Sequence, residues 1–108
     1  MIEKSYPYTQ MKEKVIEKIV DLDNVAINHM VLLKGERLPQ HYSNSNVYMI
    51  VVTGTVTLGL DAQEAHSYAA GNIVEIPINT KMDVVNENDE ILEFFVVKAP
   101  GPRSLGSK

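Results

Sequence analysis

Cysteine is absent from the 108 residues. Disulfides, Cys-based zinc sites, iron–sulfur clusters and thiol nucleophiles are therefore excluded. Long apolar runs are missing too: none approaches the roughly 18 residues that a membrane-spanning helix needs. Positive charge is in short supply, with 10 Lys and Arg against 14 Asp and Glu and a net charge of −4. That disfavours a nucleic-acid footprint, which requires clustered cations. The opening residues Met1 to Pro7 lack the basic-then-apolar order of a secretion signal. A soluble cytoplasmic protein is the resulting expectation. What is present is a 44% hydrophobic content, enough for one core and too much for a disordered chain.

Residues 1–13 are polar and mixed, and Pro7 discourages regular structure there. Residues 14–20 are ambiguous. Met11, Val15, Ile19 and Leu22 fit a helical stripe, whereas the β-branched content favours a strand. The segment is read as a strand. A turn at 21–24 precedes a strand from Val25 to Leu33, and a loop runs from Arg37 to Asn46. Val47 to Val52 is a β-branched run that Gly54 interrupts before Thr55 to Leu60 continues it. Gly within a strand pattern suggests a bend at a barrel corner. Short strands are then expected at 66–68, 73–76, 82–85 and 91–97, with turns at Gly71, at Pro77 to Asn79 and at 86–90. Close-spaced short strands indicate an all-β sandwich or barrel. The predicted organisation is an N-terminal segment over 1–24 that packs on the barrel or on a partner subunit, a barrel over 25–100, and a loose tail over 101–108.

The glycines, prolines and polar residues fall into a recognisable frame. Gly35 is followed after five residues by His41, with Pro39 between them, and Gly54 follows Val47 after six intervening residues. Gly71 leads after five residues to Pro77, and Asn86 closes the second half. At these spacings the chain resembles the cupin superfamily over roughly residues 25–100. The resemblance implies a jelly-roll barrel, the double-stranded β-helix, with a pocket inside. It also implies which positions would hold a metal ion. In metal-binding cupins two His and a Glu from the first motif join a His from the second. Here those positions carry His41, Ser43, Val47 and Met82. Hydroxyl, isopropyl and thioether groups are poor substitutes for imidazole and carboxylate at a hard divalent ion. No metal and no other cofactor is expected. A soft set of His41, Met30, Met49 and Met82 for Cu(I) is the exception worth testing.

Strand side chains alternate faces. If the family's ligand positions point inward, so do Val47, Met49 and Val51, and likewise Met82, Val84 and Asn86. The neighbouring strands then contribute Asn28, Met30 and Leu32, and Leu92, Phe94 and Val96. The expected ligand-binding set is Asn28, Met30, His41, Ser43, Val47, Met49, Met82, Asn86 and Phe94. His29 and Glu93 point outward and His66 lies at the surface. For Ser43 and Asn86 a purely local role, bonding side chain to backbone in turns, is equally available. The Met residues are equally natural as core filler.

A metal-free protein that binds a small, partly apolar molecule is the leading expectation. One alternative is a metal-free isomerase or epimerase with His41 as base. A Ser43–His41 pair and a metal-dependent dioxygenase are further ones. Tyr48, Ile50 and Val52 make the outer face of the central strand apolar as well, so a partner subunit or the N-terminal segment is expected to cover it. A homodimer follows.

Overall fold

Short runs rich in β-branched residues, separated by Gly, Pro, Asn and Asp, fold into strands joined by turns. The structure, a computed structural model, describes residues 1–106. Within them the strands are β1 Val15–Asp21, β2 Ala26–Leu32, β3 His41–Tyr42, β4 Val47–Thr53, β5 Thr55–Leu60, β6 His66–Ala69, β7 Ile73–Ile76, β8 Lys81–Val85 and β9 Leu92–Lys98. Five of them form one sheet in the order β1-β2-β9-β4-β7, and four form a second in the order β3-β8-β5-β6. The paired strands are antiparallel. Among the described residues no helix is long and apolar enough to cross a membrane.

The core lies between the sheets. Met30, Leu32, Met49, Val51, Leu92 and Phe94 from the first sheet meet Val56, Leu58, Met82 and Val84 from the second. Phe94 is wholly buried, a burial worth about 1.5–3 kcal/mol relative to an exposed ring. The apolar members of the inward set read from alternation all lie in this core.

Two backbone features show why the frame positions carry the residues they do. Gly54 joins β4 to β5, where the chain leaves one sheet for the other. Its φ is +80°, and a Cβ there would lie 2.3 Å from the Ile91 carbonyl oxygen. No other residue type fits both conditions. Asn79 occupies a turn position with φ of 67°. Asn is one of the few residues besides Gly that tolerate this left-handed conformation.

Two features, β3 and the start of the tail, depart from the sequence expectation, while the strand read over residues 14–20 is present as β1. The loop from Arg37 to Asn46 contains β3, whose two residues pair His41 with Met82 and Tyr42 with Lys81. Such a strand is too short for periodicity to reveal. β1 is an integral edge strand of the five-stranded sheet, with Ile19 unpaired at a bulge between Lys18 and Val20. The tail does not begin as a loose end. Gly101 is buried, its N–H donates to the Asp23 carbonyl, and Pro102–Leu105 form a 3-10 turn held by Arg103 on Asp23 at 2.8 Å. Residues 107–108 of the expected tail lie outside the described residues.

The outer face of the five-stranded sheet holds a buried polar cluster. His29 points outward as expected, yet it is 0% exposed. Its Nδ1 lies 2.8 Å from Glu17 Oε2 and its Nε2 lies 2.7 Å from Glu93 Oε2. Each ring nitrogen thus faces a carboxylate oxygen at hydrogen-bond distance. Tyr8 and Phe95 cover the ring, with centroids 4.7 and 4.8 Å away. Glu17 also accepts the backbone N–H of Thr9 at 2.9 Å and its hydroxyl at 2.8 Å. The cluster thus pins residues 8 and 9 of the N-terminal arm onto the sheet.

The Thr9 backbone N–H, then the His29 side chain, hold the Glu17 carboxyl below the usual glutamate range, against a smaller opposing effect of burial. A carboxyl whose folded pKa is depressed contributes stability that is present above its unfolded pKa. That stability is lost as pH falls through the folded value. Urea midpoints measured from neutral pH down through the carboxylate range should therefore fall more steeply for the wild type than for Glu17→Gln. Equal slopes would show that Glu17 has no linked proton.

Candidate functional site

The open end of the barrel leads into a cavity of about 170 Å³. Its lining comes from both sheets. Asn28, Met30, Val47, Met49 and Val96 enter from the first, and His41, Met82 and Val84 from the second, with Ser43 from the loop after β3. Ile16, Leu38, Pro39 and Lys98 complete the wall. Seven of the nine residues expected from sequence meet here: Asn28, Met30, His41, Ser43, Val47, Met49 and Met82.

The other two do not line the cavity. Phe94 sits wholly within the core. Asn86 is equally buried, and its side chain is fully occupied. The amide nitrogen donates to the carbonyls of Leu32 and Glu90 at 2.9 Å each, and the amide oxygen accepts the Asn88 N–H at 3.0 Å. Its backbone bonds reach Gly35 and Glu36. Asn86 thus ties the end of β8 to the loops after β2 and β8.

The polar groups of the cavity differ in how free they are. His41 Nδ1 lies 2.8 Å from the Pro39 carbonyl oxygen. A carbonyl only accepts, so Nδ1 carries the proton and donates. Nε2 has no partner among the described residues. Ser43 is 2% exposed. Its hydroxyl donates to the Pro77 carbonyl at 2.6 Å and accepts the Thr80 N–H at 2.9 Å. A hydroxyl spent in this way is a turn-holder. It does not face His41 as a nucleophile would face its base.

Lys98 was not among the residues expected from sequence. It was nevertheless within reach of the same reading: Val96 points inward, and two residues further along β9 the alternation brings Lys98 inward as well. In register it lies between Ala26 and Val47. Its Nζ donates to Asn44 Oδ1 at 3.0 Å. Burial, and then the nearby Lys18 charge, push the Lys98 ammonium below the usual lysine range.

The four positions that would ligate a metal in the family do converge on one cavity, but their chemistry does not fit. Among the described residues no group of three or more His, Cys, Asp or Glu is placed to hold an ion. His41 supplies one good donor, Ser43 is committed to the backbone, and Val47 has no donor atom.

An antiparallel two-sheet barrel with an interior pocket at one end defines the class as a double-stranded β-helix. Known proteins narrow it. The chain is 53% identical over 108 residues to an uncharacterized protein of Methanocaldococcus jannaschii, covering 99% of this chain and 93% of that protein. A crystal structure from the same organism, of an RmlC-like cupin family protein with a double-stranded β-helix fold, matches with a TM-score of 0.94 at 53% identity. The match covers 99% of both chains. A Cupin 2 conserved barrel domain protein from Salinispora arenicola matches with a TM-score of 0.76 over 98% of this chain and 96% of that one. At 16% identity it supports the fold alone. No family model matches the chain. The chain belongs to the RmlC-like cupin family.

The separation of Asn86 from His41 is testable by stability. Asn86→Ala leaves buried carbonyls unpaired and should cost about 1–3 kcal/mol. His41→Ala removes an exposed ring and should shift the urea midpoint little. Comparable losses for the two variants would contradict this division.

Proposed function

We propose that this cupin binds a small, partly apolar molecule inside its barrel without a metal ion. The observation that carries the reading is the composition of the cavity. Met30, Met49, Met82, Val47, Val84 and Val96 make most of the wall apolar, and His41 Nε2 is free of protein partners among the described residues. Apolar walls with few polar groups favour holding a molecule through burial while the polar atoms orient it. Proton transfer with His41 as base is a lesser reading: the cavity wall holds no carboxyl group among the described residues, and Lys98 at its rim would have to serve as the acid. The cavity is small against the ~300–1,000 Å³ common for ligand sites, so the ligand is small as well. In this reading the protein is cytoplasmic, in keeping with a chain that carries no cysteine.

The five methionines provide the test. Met30, Met49 and Met82 line the cavity, whereas Met1 and Met11 are exposed. With methyl-labelled methionine, small apolar fragments should shift the three cavity signals together and leave the other two in place. Metal analysis of the same purified protein should find no stoichiometric divalent ion, and a Cu(I) titration should show nothing tighter than micromolar. A stoichiometric ion on His41, or fragments that move none of the three methyls, would overturn the reading.

The same reading includes a homodimer through the outer face of the five-stranded sheet. Tyr8 covers His29 and Phe95 there. Val52 at 47% and Ile73 at 66% exposure remain uncovered on the same sheet. Light scattering should give about twice the 12.1 kDa chain mass. A single species at the chain mass at micromolar concentration would rule the dimer out.

A further inference from the structure

The cavity opens beside a second, smaller hollow, and the two share Asn28 and Lys98. The second hollow is about 140 Å³ and is lined by Lys18, Asp21, Ala26, Asn44, Pro102 and Arg103 besides the shared pair. Its character is opposite to that of the cavity. Three cations line it against one carboxylate. Arg103 is engaged with Asp23. Lys18, Lys98 and Asp21 form no ion pair among the described residues. Lys98 has only the neutral Asn44 oxygen as a partner.

We propose that the ligand of this barrel is a small apolar monocarboxylate, its hydrocarbon part among the cavity methionines and its carboxylate on Lys98 at the junction of the two hollows. The inference rests on the reading that the barrel interior binds a small molecule, and it adds the charge of that molecule. Strand register supports the placement. Lys18, Asn28, Val96 and Met49 are consecutive cross-strand partners, so they share the inner face of the sheet. In the next row Lys98 lies between Ala26 and Val47 on that face. The ammonium therefore stands at the rim of the apolar chamber.

A half-buried ammonium with one neutral partner keeps two donors for an anion, and charge-assisted bonds are the stronger ones. The Asn28 amide adds a further donor from the neighbouring strand. Lys18, exposed on β1, raises the local positive potential without closing the site. A single compact charge on an apolar body matches one ammonium beside an apolar chamber. A phosphate, with two charges and no apolar body, leaves the methionine wall unused. Asp21 faces the same hollow, so the anion's seat is on the Lys98 side, at the shared boundary.

The test uses the full chain and two matched probe series, straight-chain carboxylates and alcohols of equal length. Acetate and inorganic phosphate serve as controls, and shifts of the methionine methyls give the affinities. Hexanoate should bind roughly tenfold or more tightly than hexanol, with acetate and phosphate weaker than either. Lys98→Met should abolish the acid preference while retaining alcohol binding, and Lys98→Arg should keep the preference. Equal binding of acid and alcohol by the wild type would overturn the carboxylate inference and leave the binding pocket standing. So would a preference that survives Lys98→Met in a folded protein. Phosphate binding as tight as hexanoate would indicate a surface anion site and overturn it too. Binding of neither series would overturn both readings.

Discussion

The central position of β9 constrains everything else in the molecule. It runs between β2 and β4, so its alternation fixes the faces of the whole five-stranded sheet. Leu92, Phe94, Val96 and Lys98 go inward, while Glu93, Phe95 and Val97 go outward. A shift of one residue would exchange the two sets and put Glu93 into the core. The partners in register agree with this assignment on both sides. Phe94 meets Met30 and Val51, and Phe95 meets His29 and Ile50. Core, cavity and outer cluster are three consequences of one strand's phase.

Along that strand the inward face changes character from one end to the other. Leu92 and Phe94 are fully buried, Val96 borders the cavity, and Lys98 stands at its mouth. The barrel therefore has a closed apolar end and an open end with charge. The outward face follows a different logic. Glu93 with Glu17 brackets a buried imidazole whose two ring nitrogens would otherwise lack partners. The reward is attachment of the arm: Thr9 bonds Glu17 and Tyr8 packs on His29. A polar cluster on the outer face and an apolar cavity inside are kept apart by a single sheet.

Much of this is legible in the amino-acid sequence. Strand positions followed from β-branched runs and turn residues, and the inward set followed from period-two alternation. What was not legible has physical causes. Asn86 alternates inward, so its phase pointed to the cavity. Only the positions of the Leu32 and Glu90 carbonyls, distant or irregular in sequence, reveal that its amide is already spent. The partners of His29 are 12 and 64 residues away. No local pattern brings a Glu to each ring nitrogen, so the outward phase of His29 carried no sign of its partners. Lys98 is the opposite case. The signal was present in the alternation, but a lysine at the end of a strand is normally assigned to solvent.

The pattern of what the motif frame keeps and what it has changed is itself informative. Gly54, Asn79 and Asn86 each answer a backbone requirement: a close approach to Ile91, a left-handed turn, and unpaired carbonyls. These requirements belong to the barrel and hold whatever the pocket contains. Ser43 belongs with them, since its hydroxyl joins Pro77 to Thr80. Val47 and Met82 answer no backbone requirement through their side chains. They face the cavity, and their chemistry is set by what the cavity must accommodate. An isopropyl group and a thioether at those positions remove the carboxylate and imidazole that a hard cation would need. The same exchange removes the negative charge that would repel an anion entering past Lys98. On the proposed reading, the poor fit to a hard cation and the fit to an anionic apolar guest follow from the same two side chains.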